Sequence, residues 1–203
     1  MTDAEAWKKY PQHHQFFNKL FVSRLFGVIS GPGGVAPPVS GWYCVRPVMN
    51  LSGMGIGARK QWIEEGDIRS VEPGYFWSEW LEGPHLSVTY EWSKRWEGEW
   101  RATLVWEGFN SAENLSRFSK WEKKPLADAP RMYKLRELGD VGLINVEFIG
   151  KKVIEVHLRP SPDPDGAHRI VPVWADDVIE GYEPDFDDAD GHLVVPRLGF
   201  IVD

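Results

Sequence analysis

The stretch NVEFIGKKVIEVHLRP, residues 145–160, decides the fold of this chain. Apolar and polar residues alternate on both sides of the Gly-Lys pair at 150–151, in the runs LINVEFI and KVIEVHL. Such alternation around a glycine turn predicts a β-hairpin. Counting from the turn, we expect Glu147 and Glu155 to lie on the same face of the two adjacent strands.

The hairpin therefore predicts two neighbouring carboxylates, which repel each other unless a proton or a cation lies between them. Mg²⁺ takes oxygen ligands and leaves room for phosphates. His157 and Arg159 follow Glu155 at two-residue steps, so they share its face. Arg159 could offset charge on a phosphate or an acyl phosphate. From this stretch alone, an exposed sheet face with ordinary charges remains an alternative.

A second stretch, VRPVMNLSGMGIGA at residues 45–58, predicts a strand that runs into a glycine-rich loop. Glycine lets backbone N–H groups approach phosphate oxygens closely, and Arg46 supplies positive charge. The loop is not a P-loop, since no Gly-Lys-Ser/Thr follows, and no βαβ unit surrounds it as a dinucleotide fingerprint requires. A flexible hairpin loop is the simpler alternative.

A third stretch, FWSEWLEGPHLSVTYEW at residues 76–92, predicts a strand that turns at Gly83-Pro84 and returns through His85. The connection could offer backbone N–H and C=O groups to an adenine edge, and its side chains could reach a ribose. Taken alone, the stretch favours a plain β-hairpin.

The order of these three stretches resembles the ATP-grasp superfamily, specifically its carbamoyl-phosphate-synthetase and biotin-carboxylase-like branch. The resemblance covers roughly residues 42–162, and NVEF…VIEVHLRP is its most specific part. It implies an α+β fold of mainly antiparallel sheets with few helices and a truncated N-terminal part. It also implies ATP and Mg²⁺ as cofactors.

The resemblance implies a nucleotide site, in which Arg46 contacts the phosphates of ATP and His85 reaches the ribose. The loop over the triphosphate would consist of Ser52, Gly53, Met54, Gly55 and Gly57. The segment that holds adenine through its backbone would consist of Ser78, Glu79, Trp80 and Leu81. The second basic residue that the family uses at the phosphates has no clear match, and Lys19 and Arg24 are the candidates.

The resemblance also implies a metal site, in which Glu147, Glu155 and His157 bind Mg²⁺ and Arg159 stabilises the reacting group. His157 stands where the family usually has asparagine. Neutral imidazole is a softer ligand than an amide oxygen, so Mn²⁺ would suit the site better than Mg²⁺. The replacement is also compatible with a site that has lost its activity.

Three segments are expected along the chain. Residues 1–41 comprise a helical stretch at 4–27, broken near Pro11, and a Gly/Pro linker. The ATP-grasp-like core follows at 42–162, and an acidic, proline-rich extension packs on it at 163–203. Further elements are expected as a short helix in PRMYKLRELG at 130–139 and strands in RIVPVWA at 169–175 and HLVVPRLGFIV at 192–202.

Composition narrows the class of protein. The chain has 203 residues, a net charge of −7 and one cysteine, which fits a reducing cytoplasm. It shows no signal peptide and no apolar run of membrane-spanning length, so we expect no membrane association. Net acidity disfavours binding to nucleic acid. A homodimer that completes the site is a further hypothesis.

These observations predict an ATP-dependent carboxylate–amine or carboxylate–thiol ligase that acts through an acyl phosphate on a small-molecule or peptide carboxylate. One alternative is a nucleotide-binding or structural protein that kept the fold and lost the chemistry. Another is a tryptophan-rich module for sugars or single strands. In that module the binding rings would be Trp92, Trp96 and Trp100, which fall every four residues and would share a face if the segment were helical.

Overall fold

Two antiparallel sheets form the framework of the chain. The computed structural model describes residues 1–51, 55–93, 98–110, 115–163, 166–176 and 197–203. Its helices are α1 (Asp3–Lys9) and α2 (Lys19–Leu25), with 3₁₀ segments at Pro11–Phe17, Leu126–Asp128 and Arg136–Leu138. Its strands are β1 (Ser30–Pro32), β2 (Gly41–Pro47), β3 (Arg59–Ile63), β4 (Tyr75–Glu79), β5 (His85–Ser93), β6 (Glu99–Asn110), β7 (Phe118–Lys123), β8 (Leu143–Ile149), β9 (Lys152–His157), β10 (Arg169–Trp174) and β11 (Arg197–Val202).

The smaller sheet has four strands in the order β1-β4-β2-β3, and the larger has seven in the order β11-β10-β7-β6-β5-β8-β9. All the strand pairs are antiparallel. Residues 80–84 lead from β4 in the smaller sheet to β5 in the larger one. The expected α+β fold of mainly antiparallel sheets with few helices is confirmed.

The N-terminal helices are fixed by their caps. Thr2 accepts a hydrogen bond from the backbone N–H of Glu5, and the Glu5 carboxylate accepts one from the backbone of Thr2. The helical conformation is interrupted at Pro11, as predicted. It is interrupted again at Asn18, the N-cap of α2, whose side chain accepts a hydrogen bond from the backbone N–H of Phe21. The described helices are all too short to cross a membrane.

The largest core lies between these helices and one face of the larger sheet. Alternation along β8 sends Val146 and Phe148 into this core, where Phe16 and Val22 from the N-terminal segment meet them. The same alternation leaves the opposite face of the sheet to the polar residues of β8 and β9. The hairpin is therefore anchored to this core by its apolar face, and its polar face points away from it.

The prediction of a short helix at 130–139 is wrong. The chain forms only the 3₁₀ turn Arg136–Leu138, because Leu135 adopts a left-handed conformation with φ of +69° that an α-helix cannot contain. The indole of Trp100 donates a hydrogen bond to the carbonyl of Leu135 at 2.9 Å and holds this conformation.

Three strands escaped prediction. β3 lies in a stretch whose charges obscured the alternation, and it is the edge strand beside β2. In β7, with the sequence FSKWEK, charges also obscured the alternation, although this strand lies inside the larger sheet between β10 and β6. β1 lies in the predicted Gly/Pro linker and is only three residues long. For the strand expected at 192–202, the described part begins at Arg197, and 192–196 lie outside the described residues.

The segments that carry Trp92 and Trp100 are strands, so these rings do not share a helical face. Trp92 lies on β5 directly opposite Trp100 on β6, and their rings meet edge to face at 5.1 Å. Trp100 is buried in the main core, and Trp92 packs closely against Gly139. Trp96 lies outside the described residues. The two described rings fill structure, which is the common use of tryptophan.

Candidate functional site

A cavity of about 470 Å³ lies between the two sheets. Its walls come from β2 and β4 of the smaller sheet, from β5, β8 and β9 of the larger sheet, and from the start of α2. The polar face of the β8–β9 hairpin therefore faces the smaller sheet across a space the size of a small-molecule site.

The predicted site residues converge on this cavity. Those that line it are Arg46, Gly55, Ser78, Glu79, Trp80, Leu81, His85, Glu147, Glu155, His157 and Arg159. Among the predicted residues that the structure describes, Gly57 alone is off the lining. It makes a turn with φ of +76° beside Tyr75 and Pro47. Ser52, Gly53 and Met54 lie outside the described residues.

Glu147 and Glu155 face each other across the hairpin because of a β-bulge. A regular ladder from the Ile149–Lys152 pair would set Glu147 opposite Ile154. The register shifts between Glu147 and Phe148, so Glu147 pairs with Glu155 instead. The extra residue, Ile154, presents its carbonyl to Arg46, whose Nη2 donates to it at 3.0 Å. The bulge thus creates the carboxylate pair and also connects it to β2.

His157 lies between three carboxylates. Its Nε2 is 3.6 Å from Glu147 Oε1 and 3.7 Å from Glu155 Oε1, and its Nδ1 is 3.0 Å from Asp3 Oδ2. Burial alone would lower the pKa of His157, but the charges of Asp3 and Glu155 raise it to about 10. Burial would likewise raise the pKa of Asp3, but His157 and Arg159 lower it to about 2.

Glu147 is held by a second histidine. His85 Nε2 lies 3.1 Å from Glu147 Oε2, and the ring of His85 packs edge-on against Phe118 and Trp121. Burial would raise the pKa of Glu147, but hydrogen bonds and charge from His157 and His85 hold that pKa well below its usual value. His85, predicted to reach a ribose, thus contacts a predicted metal ligand while lining the cavity.

Lys19 is the basic residue that the sequence left open. It begins α2, is 5% exposed, and places its Nζ 2.7 Å from Glu155 Oε1. It lines the cavity together with Arg46, whereas Arg24 is exposed on the same helix and is absent from the lining. The structure therefore favours Lys19 over Arg24 as the second cation of the site.

Arg46 carries an unused donor. It is 7% exposed, and its guanidinium lies over the ring of Phe76 at 5.2 Å. Its Nη2 donates to Ile154, but its buried Nε has no hydrogen-bond partner among the described residues. A buried N–H without a partner costs about 1–3 kcal/mol.

The segment between the sheets borders the cavity. Ser78 and Glu79 end β4, and the Glu79 carboxylate accepts a hydrogen bond from the backbone of Ile29 at 3.0 Å. The ring of Trp80 contacts the Lys60 ammonium at 4.4 Å. Leu81 makes no backbone hydrogen bond to another described residue. Its N–H and C=O are thus available to the edge of a bound base.

The glycine loop reaches across the cavity to the larger sheet. Gly55, with φ of +62°, accepts a hydrogen bond at its carbonyl from the Ser116 hydroxyl at 3.0 Å. The cavity is lined here by Gly55 and Ile56 of the loop and by Leu115 and Ser116, which precede β7. The described part of the loop therefore lines the cavity.

The hairpin brings together three side chains of the types that ligate divalent cations. One ligand atom each of Glu147, Glu155 and His157 lies within 4.8 Å of the other two. Two ligands about 2.1 Å from one ion can be at most about 4.2 Å apart, and the two distances from His157 Nε2 to the Glu147 and Glu155 carboxylates fall within that limit. Metal-bound histidines usually donate the N–H of the other ring nitrogen to a carboxylate or carbonyl, and the Asp3 carboxylate lies at Nδ1 of His157 in this way.

The fold is shared with solved structures. A protein from Archaeoglobus fulgidus, provisionally placed in the ATP-grasp superfamily, matches 94% of this chain and 65% of its own at 12% identity, with a TM-score of 0.50. Carboxyaminoimidazole ribonucleotide synthase from Aspergillus clavatus, solved with ATP, matches 85% of this chain and 63% of its own at 11% identity, with a TM-score of 0.48. This chain thus spans less than two thirds of either structure.

No protein-family model and no curated protein matches the chain. The match to the Archaeoglobus protein covers nearly the whole of this chain, and so it is the overall fold that is similar. The chain has the ATP-grasp fold, and the resemblance seen in its sequence is confirmed at that level.

Sequence reasoning missed several residues that line the cavity, and it also missed Asp3, which contacts His157 and Arg159 of the lining. Asp3 and Asn145 are both buried, and the Asn145 amide donates to the Ser87 hydroxyl at 2.9 Å. Asp163 lines the cavity near Arg159, and burial raises the pKa of its carboxyl. Asn145 stands in the quoted hairpin, two residues before Glu147, so its alternation could have placed it on the polar face. No local pattern points to Asp3.

Proposed function

We propose that the protein is an ATP-dependent ligase that joins a carboxylate to an amine or a thiol through an acyl phosphate. The observation that carries the proposal is that the guanidinium of Arg46 and the cluster of Glu147, Glu155 and His157 line one cavity. Donors for phosphate and ligands for a cation thus face the same space, which is the arrangement that phosphoryl transfer requires.

ATP would lie with its base against the segment between the sheets. The N–H and C=O of Leu81 are available to the base, and the aromatic face of Trp80 borders the same space. Arg46 and Lys19 would bind the phosphates, because both cations are buried in the cavity wall. The loop that contains Gly55 would cover the phosphates and exclude water.

Glu147, Glu155 and His157 would hold Mg²⁺ or Mn²⁺. When bound, the ion neutralises the charge that develops on the transferring phosphoryl group. Lys19 lies 2.7 Å from Glu155, so it would shift from this carboxylate toward the phosphates as the cation binds. His85 would keep the Glu147 carboxylate in place from the other side.

The reaction would proceed in two steps. An oxygen of the substrate carboxylate attacks the γ-phosphorus, the bond from that phosphorus to the bridging oxygen breaks, and ADP leaves. The amine or thiol then attacks the acyl carbon, loses a proton, and phosphate leaves with the electron pair of the C–O bond. Arg159, which lines the cavity and is held by Asp3 at 2.9 Å, would stabilise the negative charge that forms in either step.

Thermal melting with ATP and each metal tests the nucleotide site first. A ligand at a hundred times its Kd stabilises the native state by about 2.7 kcal/mol, or roughly 5 to 10 °C for a chain of this size. We expect a shift that needs both ATP and metal and is lost in Glu155→Gln. Phosphate release with a panel of carboxylates and amines then tests the ligase. No shift at saturating ATP and metal would contradict the proposal.

A second candidate is a protein that binds nucleotide without turnover. It is favoured by the two buried cations that already accompany the carboxylates, Lys19 at Glu155 and the protonated His157 beside Asp3. It predicts the same rise in melting temperature with no phosphate release for any carboxylate. The two measurements together therefore separate the candidates.

A further inference from the structure

Asp3 connects the first helix to the predicted metal site. It is the first residue of α1 and is 4% exposed. Both carboxylate oxygens lie near His157 Nδ1, at 3.1 and 3.0 Å, and Oδ2 also accepts a hydrogen bond from Arg159 Nη2 at 2.9 Å. One buried carboxylate thus holds two of the residues that the sequence assigned to the site.

The geometry decides which nitrogen of His157 faces the cavity. A carboxylate accepts only, so a proton must stay on Nδ1 to make the contact with Asp3. The opposite nitrogen, Nε2, faces Glu147 and Glu155. A carboxylate behind a histidine in this way fixes the ring and makes its other nitrogen a stronger ligand.

We propose that Asp3 is a positioning residue that presents His157 Nε2 as the third metal ligand, and that this centre selects Mn²⁺ over Mg²⁺. The inference rests on the proposed function, since it concerns the metal of the same site. Mg²⁺ prefers oxygen ligands in octahedral geometry and gives up water reluctantly, whereas the affinity of nitrogen donors rises from Mn²⁺ along the first-row metals. Replacing a hard ligand by imidazole therefore favours Mn²⁺.

The chain offers a matched control pair. His13 Nε2 lies 2.8 Å from Asp140 Oδ1, which is also an Asp–His contact between the N-terminal segment and a distant part of the chain. Neither residue lines the cavity. Asp140→Asn therefore removes the same kind of contact without touching the proposed centre.

The test measures Mn²⁺ binding to the full-length protein by electron paramagnetic resonance, with Mg²⁺ affinity from competition. We expect wild type to bind Mn²⁺ at least tenfold more tightly than Mg²⁺. Asp3→Asn should weaken Mn²⁺ binding roughly ten- to a hundredfold, the usual effect of losing such a partner. Mg²⁺ affinity should change far less, and Asp140→Asn should change neither.

His157→Asn tests the selectivity through the ligand itself. The amide oxygen is a hard donor, so this variant should lose the preference for Mn²⁺ and retain or gain affinity for Mg²⁺. An unchanged Mn²⁺ preference in His157→Asn would overturn the selectivity. Equal Mn²⁺ affinity in wild type and Asp3→Asn would overturn the role of Asp3.

A spectroscopic measurement on wild type covers the case in which Asp3→Asn does not fold. Cd²⁺ is a diamagnetic probe, and spin coupling between its nucleus and the labelled ring nitrogens of His157 identifies the bound nitrogen. Coupling to Nε2 supports the proposal, and coupling to Nδ1 or to neither nitrogen overturns it. If wild type binds none of the three ions, the metal site of the proposed function fails as well. If it binds them without the Asp3 effect, only this inference fails.

Discussion

The two walls of the cavity differ in how their charges are balanced. On the seven-stranded wall, formed by Glu147, Glu155 and His157, each charged group has a counter-charge within 3.7 Å. On the four-stranded wall, formed by Cys44, Arg46 and Ser78, the Arg46 guanidinium keeps a buried N–H without a partner in the described chain.

This difference in charge balance indicates which wall contributes more binding free energy to a ligand. The seven-stranded wall is pre-organised by the protein itself, so a cation must displace charges that are already present. On the four-stranded wall, the Arg46 guanidinium contacts a carbonyl and an aromatic ring and makes no ion pair among the described residues, so an anion gains binding energy there at little cost. Variants on the two walls should therefore affect different properties.

The largest effect is expected on the seven-stranded wall. Glu155→Gln removes a metal ligand, so phosphate release should fall roughly a hundredfold or more, as when one charge-stabilising group is removed from a site. The comparison of wild-type and variant phosphate release under saturating ATP and metal checks this. Equal rates would exclude a catalytic role for Glu155.

The same substitution leaves Lys19 buried without its partner, which by itself costs about 3–5 kcal/mol. The double variant Lys19→Met with Glu155→Gln removes both charges and should recover much of the melting temperature. Recovery of stability without recovery of phosphate release would separate chemistry from folding.

The next largest effect is expected on the four-stranded wall. Arg46→Met removes the donors to phosphate, so the ATP-dependent rise in melting temperature, roughly 5 to 10 °C in wild type, should disappear. Mn²⁺ binding without nucleotide should persist, because the metal ligands lie on the other wall. Arg59→Met, on the adjacent strand β3 and paired with Glu72, is the control and should keep the full shift. A full shift in Arg46→Met would mean that Arg46 does not bind phosphate.

The fold and much of the site were predictable from local patterns. The β8–β9 hairpin and the order of the three stretches depend on alternation and glycine turns, which the sequence displays directly. The convergence of Arg46, the 78–81 segment and the hairpin on one cavity follows from that order. Each of these features depends on residues that are close together in the sequence or on a single motif, and so a local pattern is enough to predict it.

Other features depend on contacts that no local pattern encodes. The bulge at Ile154 decides that Glu147 faces Glu155, yet nothing in KVIEVHL distinguishes it from a regular strand. Asp3 reaches His157 across 154 residues of sequence. Leu135 is forced into a left-handed conformation by the packing around Trp100. Each is set by tertiary structure that overrides the local preference.

A smaller effect is expected from the Asp3–His157 pair on stability. The pKa of Asp3 is about 2 in the folded chain, below its ordinary value of 3.8. The contribution of Asp3 to the free energy of unfolding is thus present above pH 3.8 and is lost as the pH falls through 2. The shift corresponds to about 2 kcal/mol. The pKa of His157 is raised from 6.5 to about 10, so its contribution is present below pH 6.5 and is lost as the pH rises through 10.

Urea unfolding of wild type and Asp3→Asn between pH 2 and 10 measures these contributions. The difference in free energy of unfolding should be largest between about pH 4 and 6.5 and should shrink on both sides. A difference that does not vary with pH would show that Asp3 stabilises the fold by packing, and not through its charge.

The smallest effect concerns Cys44, the only cysteine of the chain, which lies on the four-stranded wall and lines the cavity. Burial raises the pKa of its thiol, so alkylation should be slow near neutral pH and accelerate as the pH rises. A bound nucleotide would cover the thiol and slow alkylation roughly tenfold at ten times its Kd, since only the free protein reacts. Mass spectrometry follows the reaction at this one site.

Arg46→Met provides the control for Cys44, because the two side chains lie on the same face of β2. This variant should lose the protection by ATP, and its alkylation without nucleotide should be somewhat slower than in wild type, because the Arg46 charge lowers the pKa of the thiol. Protection that persists in Arg46→Met would mean that ATP reaches the four-stranded wall without its guanidinium. The buried Nε of Arg46 would then only lower the stability of the fold. The role of Arg46 on this wall would be structural, namely to donate a hydrogen bond to the carbonyl of the bulge residue Ile154.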